Sequence, residues 1–102
     1  MYVSGQVPLD SEGRLVGAGD FAAQVRQVFT NLTGALEAAD LTWDEVVKLN
    51  FFVLDISKVA ALREIRDEYV NTEHPPASTL VEVSGLFRPD VLVEIEAVAI
   101  GD

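Results

Sequence analysis

Lys48, Asn50, Ser78, Glu82, Glu94 and Glu96 are the side chains of this sequence that could work on a small molecule together. Each falls at an alternate position of a run that reads as a β-strand, and residues two apart in a strand share a face. A cation, an amide, a hydroxyl and carboxylates on one surface can bind a small polar ligand. They can also move protons, because a shielded carboxylate accepts a proton from water when burial raises its pKa. Residue counts remove other chemistries. The chain has no cysteine, so disulfides, thiolate zinc sites and cysteine nucleophiles are excluded. The single histidine, His74, cannot build a histidine-rich metal site or a charge-relay triad within one subunit. No metal or cofactor is expected.

The elements that must position these groups are legible along the chain. Tyr2 to Ser4 reads as a short strand, followed by turn chemistry in "PLDSEGRL", where Asp10, Ser11 and Gly13 lie between apolar flanks. From Phe21 the apolar residues Val25, Val28, Phe29, Leu32, Leu36 and Ala39 recur at three- and four-residue steps, which predicts a long amphipathic helix with Asp20 as its N-cap. "VVKLNFFVL" (46–54) is rich in branched and aromatic residues and predicts a strand. A second helix is expected from a Ser57 cap through Val59, Leu62, Ile65 and Tyr69, stopped by Pro75 and Pro76, with His74 as its C-terminal cap. Strands over 77–84 and 91–100 follow, joined by the turn-like "GLFRPD". The fold class expected is α+β: a single domain over 1–102 with two helices packed on one face of a single sheet.

Splitting each strand into its two faces gives one set that is almost wholly apolar: Val47, Leu49, Phe51 and Val53, then Ala77, Thr79, Val81 and Val83, then Val91 to Ala99 at every second residue. This face should take the helices. The other set mixes Val46, Lys48, Asn50, Ser78, Glu82, Glu94 and Glu96 with Phe52, Leu54, Leu80, Leu92, Val98 and Ile100. Left in water at ~25 cal/mol per Å², six large apolar side chains would forfeit several kcal/mol, a sizeable share of a small domain's stability. The mixed face is therefore expected to be a subunit interface, with polar groups held in a semi-enclosed space.

Charge and composition bound the partners. Seven basic against 17 acidic residues give a formal net charge of −10, a field that repels polyphosphate backbones, so nucleic acid is not expected as a partner. No stretch approaches the ~20 apolar residues of a membrane span, and the N-terminus lacks a secretion-signal pattern, so a cytoplasmic location is the default expectation.

"SGQVPLD" (4–10), "AAQVRQVFTNL" (22–32), "VVKLNFFVLD" (46–55), "HPPAST" (74–79) and "VEIEAVAI" (93–100) together resemble the RidA (YjgF) family, in order and over almost the whole chain. The resemblance implies the chorismate-mutase-like fold of that family: a homotrimer whose sheets form a central barrel, with three clefts between adjacent subunits. Better-known members deaminate 2-imino acids such as 2-iminopropanoate and 2-iminobutanoate to 2-oxo acids and ammonia, without metal or cofactor. The partners so implied are other copies of the chain and a small carboxylate, imine or carbonyl metabolite.

The same resemblance suggests roles for particular residues. Glu94 matches the position that orients the attacking water; otherwise Glu94 and Glu96 solvate a strand end or pair with Lys48 across a subunit boundary. Ser4 and Gly5 match a hydroxyl and backbone N–H that hold the substrate, or else simply end a strand. Leu80 matches a position whose carbonyl helps to place the water. Ser78 stands where active members carry an arginine that clamps the substrate carboxylate. A guanidinium offers a bidentate, charge-assisted fork and a hydroxyl one neutral donor, so carboxylate capture should weaken on the order of tens to a hundredfold. Arg88 reads as a solvated turn residue, and in a working deaminase Arg88 or Lys48 would be recruited to replace the missing guanidinium. Family members also carry an earlier strand with a tyrosine that reaches the cleft, and this chain begins after it. Ribonuclease activity has been ascribed to some members, but the charge and the single histidine argue against it here. Three readings follow: a cleft-bearing trimer with deamination weak or lost, a working deaminase with a recruited cation, and a binding or regulatory module without turnover.

Overall fold

The computed structural model describes residues 1–101. Four strands, β1 (Tyr2–Gln6), β2 (Val46–Val53), β3 (Ala77–Glu82) and β4 (Val93–Ala99), form one sheet in the order β1-β4-β2-β3. Two helices, α1 (Phe21–Ala38) and α2 (Val59–Arg66), lie on one face of it, so the α+β class and the two-layer arrangement are as expected. β2 and β3 run parallel with α2 as their crossover, and β4 is antiparallel to both β1 and β2.

α1 forms where the apolar spacing places it. Val25, Val28, Phe29, Leu32 and Leu36 make one buried stripe, and the Asp20 carboxylate accepts the Ala23 N–H at 3.1 Å to satisfy a free donor of the first turn. Phe29 is the hub of the core. Its ring stacks on Tyr69 at 4.8 Å between centroids and meets Trp43 at 5.5 Å, and the Trp43 indole N–H donates to Thr33 Oγ1 at 3.0 Å. Gln24 is the one buried polar residue of the described chain. Its amide nitrogen donates to the carbonyls of Gly17 and Asp90, at 3.1 and 3.0 Å, and its carbonyl accepts the Leu92 N–H at 2.8 Å. One side chain thus ties the start of α1 to both loops at that end of the sheet.

Four expectations need correction. The second helix is capped by Asp55, not Ser57: the Asp55 carboxylate accepts the Ser57 N–H at 2.9 Å and its hydroxyl at 2.6 Å, opening a 3₁₀ turn over Ile56–Lys58 that leads into α2. α2 ends at Arg66, well before the prolines, as Glu68 and Tyr69 form tight bonds three residues back that turn Tyr69 onto Phe29. His74 lies exposed beyond this turn, its N–H on Asn71 Oδ1, and caps no helix. "GLFRPD" is no hairpin, because residues 83–92 carry the chain across to set β4 between β1 and β2.

The fourth correction concerns the faces. A bulge in β2 opposite β4 places Val47 as an extra residue, so Val46 turns inward and is 4% exposed while Val47 is 43% exposed, the reverse of the alternation expected. In β3 the whole set is inverted. Ser78 pairs with Leu49 and Leu80 with Phe51, both core residues, so Ser78 and Leu80 face the helix side. Thr79 and Val81 pair with Asn50 and Phe52 on the open side. β3 is an edge strand with little cover on either side, so its apolar alternation does not report which way it points. The inversion adds Val81, 39% exposed, to an open face that already carries half-buried Phe52 and Val98.

Candidate functional site

Glu94 and Glu96 both stand on the open face, where β4 places them opposite Phe52 and Asn50 of β2. The Glu96 carboxylate accepts the Asn50 side-chain N–H at 2.8 Å, a contact read in neither residue from the sequence alone. On the other side of β4, β1 carries one extra residue between Val3 and Gln6, so Ser4 and Gly5 bulge toward the carboxylates. Gly5 lies directly against Glu94. A Cβ built at position 5 would come within 2.8 Å of Glu94 Cδ, closer than real contacts allow, and within a tight 3.1 Å of its Cγ. The missing side chain is what lets the carboxylate rest on the β1 backbone.

A concavity of about 450 Å³ extends along the same face, lined by Tyr2, Ser4, Lys48, Asn50, Glu96 and Val98. Lys48 forms no ion pair among the described residues, so a Lys48–glutamate pair is not present within one protomer. Tyr2, on the rim of this concavity, is 86% exposed, and Ile100, just past the end of β4, is 64% exposed.

The remaining expected site residues lie elsewhere. Ser78 and Leu80 line a second recess of about 110 Å³ on the helix side, between the β3 edge and α2. The sheet separates them from Glu94, so one protomer does not bring the two groups together. Ser78 Oγ makes only a long 3.4 Å contact with the Pro76 carbonyl. Arg88 sits in the crossing loop, where its Nε and one Nη grip the Asp90 carboxylate at 3.0 and 2.7 Å. The hydrogen bond from Arg88 holds the Asp90 carboxyl below the usual carboxylate range, and Arg88 is to that extent occupied.

Arg63 and Arg66, which also line the Ser78 recess, are the residues that sequence reading passed over. The signal was present: Val59, Arg63 and Arg66 are spaced four and three apart, one stripe along a helix flank. Among the described residues no three histidine, cysteine or acidic side chains converge as a metal site would need, and no helix is long and apolar enough to cross a membrane.

Comparison with known proteins agrees with this geometry. The sequence profile of the family described as Endoribonuclease L-PSP matches residues 1–101. A RutC family protein of Pyrococcus horikoshii is 38% identical over 99 residues, covering 97% of this chain and 77% of the relative. Among solved structures, a putative endoribonuclease from Thermotoga maritima superposes with a TM-score of 0.91 at 35% identity, covering all of this chain and 79% of that one. RidA from an Antarctic Psychrobacter superposes at 0.86 with 36% identity, covering 97% of this chain and 79% of that chain. With the profile matched from end to end of the described residues and the fold reproduced at more than a third identity, the chain belongs to the RidA (YjgF) family.

Proposed function

We propose that three copies of this chain join their open sheet faces into a barrel, and that the clefts between neighbours bind a small carbonyl or imine metabolite, with slow hydrolysis of 2-imino acids to 2-oxo acids and ammonia. The observation that carries this reading is the seat of Glu94 against the side-chain-free backbone of Gly5. A carboxylate held at one position on a face that another copy would cover is what a hydrolytic deamination requires. In that reaction water adds to the carbon of the protonated C=N bond while Glu94 accepts its proton. The tetrahedral carbinolamine then collapses as the proton passes to nitrogen, and ammonia leaves. No oxidant, metal or cofactor enters the balance.

Ser4 and the Gly5 N–H are suited to orient the substrate beside Glu94. Because Ser78 and Leu80 face away from Glu94 within one chain, a cleft containing all of them takes them from two different copies. Without a guanidinium at position 78, carboxylate capture is weaker than in members with arginine there, and turnover falls with it. Arg88 could serve only by leaving Asp90. The serine also favours a second reading, a binding or regulatory trimer that turns nothing over.

One pair of measurements separates these. Sedimentation of the purified protein should give the mass of three chains, and freshly generated 2-aminoacrylate should release pyruvate and ammonia faster than in a protein-free control. Glu94→Gln should abolish the acceleration. A trimer that accelerates nothing leaves the binding reading, and a monomer at micromolar concentration removes the cleft altogether.

A further inference from the structure

We infer that Arg63 and Arg66 of α2 form the anion clamp of this protein's cleft, gripping the carboxylate of a small 2-oxo or 2-imino acid from the helix side, above the floor made by Phe51 and Leu80. The inference rests on the cleft proposed above and names the residues that recognise the ligand's charge.

The recess has the composition a carboxylate site needs. Phe51 and Leu62 are buried, Val59 and Leu80 are half-buried, and together they make an apolar floor, with half-buried Arg66 and exposed Arg63 and Ser78 at its rim. Its volume of about 110 Å³ corresponds to roughly three to four waters at ~30 Å³ each, enough for a carboxylate and the carbon next to it. Ser78 contributes a hydroxyl and its smallness. A long cation at that position would put three positive side chains into one small recess, so a serine beside two arginines is a coherent arrangement in which the charge comes from the helix.

The other five cations do not line the recess. Arg14 pairs with Glu12, Arg26 grips Glu68, Arg88 grips Asp90, Lys48 stands on the opposite face of the sheet, and Lys58 lies exposed in the 3₁₀ turn before α2. Arg63 has no ion-pair partner among the described residues. Arg66 gives Nε and one Nη to Asp67 Oδ1, at 3.1 and 3.0 Å, and this fixes the plane of its guanidinium while its other terminal nitrogen remains available. Glu64, Asp67 and Glu68 follow on the same segment, but of its charged residues only Arg63 and Arg66 line the recess, so the charge that faces an occupant there is positive.

The test uses the intact protein with pyruvate and its uncharged analogue pyruvamide, read by titration calorimetry and by backbone amide shifts. Pyruvate should bind more tightly than pyruvamide, shift the amides of Arg63, Ser78 and Leu80, and weaken with added salt. Arg63→Gln, and more so Arg63→Gln with Arg66→Gln, should weaken pyruvate roughly ten- to a hundredfold while leaving pyruvamide within about twofold. Arg14→Gln, a charge-matched change far from the recess, should bind pyruvate as the parent does. Equal affinity of parent and double variant, shifts confined to the Lys48 face, or no pyruvate binding at all would each overturn the clamp. Sedimentation of the same samples keeps the two proposals distinct: a trimer with unaffected variants loses the clamp and keeps the cleft, whereas a monomer that binds pyruvate through Arg63 keeps the clamp and loses the cleft.

Discussion

Gly5→Ala isolates the seat of Glu94 from the stability of the fold. An added Cβ would stand 2.8 Å from Glu94 Cδ, where ordinary contact begins at 3.4 Å, so the carboxylate must retreat by about 0.6 Å or more. Gly5 does not have the positive φ that an alanine would resist, and the clashing group is the flexible end of a side chain. The fold therefore accommodates the change by moving Glu94, and removing a strand glycine offsets part of the cost, by roughly 0.5–1 kcal/mol. A reacting group displaced by about 1 Å can cost on the order of a hundredfold in rate. The expected result is a thermal midpoint within about 2 °C of the parent together with a loss of 2-aminoacrylate hydrolysis of roughly ten- to a hundredfold. Initial rates of pyruvate formation and a thermal melt on the same preparation provide both readings. Full activity in Gly5→Ala, with Glu94 displaced in its structure, would refute the idea that this carboxylate needs its present position.

Three further outcomes can be checked on purified protein. Val81→Glu places a charge on the open face at an edge position that carries little of the protomer's own core, and should convert a trimer to monomers in sedimentation without lowering secondary structure by circular dichroism. Phe29→Ala removes the ring at the centre of the aromatic cluster and should cost about 3–5 kcal/mol in denaturant unfolding, whereas Thr30→Ala, one residue on and exposed, should cost under about 1 kcal/mol. Hydrogen bonds from the Ser57 hydroxyl to Asp55, from Arg26 to Glu68 and from Arg88 to Asp90 lower these three carboxyl pKa values in the folded chain. The unfolded chain then binds more protons, so their contribution is present above the ordinary carboxylate range and is lost as pH falls through the depressed folded values. The melting midpoint should fall on acidification below about pH 5, and less steeply in Asp55→Asn.

The helices and the strand order along the chain were legible because they rest on strong local signals. Val25 to Leu36 repeat at helical spacing, and the Asp20 cap stands one residue before the first turn, where its chemistry demands it. What misled was alternation without burial. Along β4, packed between two strands and under α1, inward and outward residues alternate as their polarity predicts. Along β3 the same kind of pattern pointed the wrong way, since an edge strand buries neither face fully and a one-residue change of frame costs it little. The extra residue at Val47 was equally hidden, because two adjacent valines carry no sign of which is the bulge. Of the candidate site, Gly5 lies against Glu94, with Ser4 beside it in the β1 bulge. Ser78 and Leu80 did not join them, and the neighbours they acquired, Arg63 and Arg66, lie twelve or more residues away, beyond the reach of any local pattern.

The central place of β4 also governs when the molecule can form. β2, α2 and β3 follow one another along the chain and pair directly, but β1 joins the sheet only through β4, with Tyr2 opposite Val98. A nascent chain that has been made as far as β3 thus still holds β1 without a strand partner, because β4 ends more than ninety residues after β1. At about 5–20 residues per second, the interval from β1 to β4 is roughly 5–20 seconds. Closure of the sheet is a late, long-range event, so the Gly5–Glu94 seat comes into existence only once the last strand has slotted into the middle.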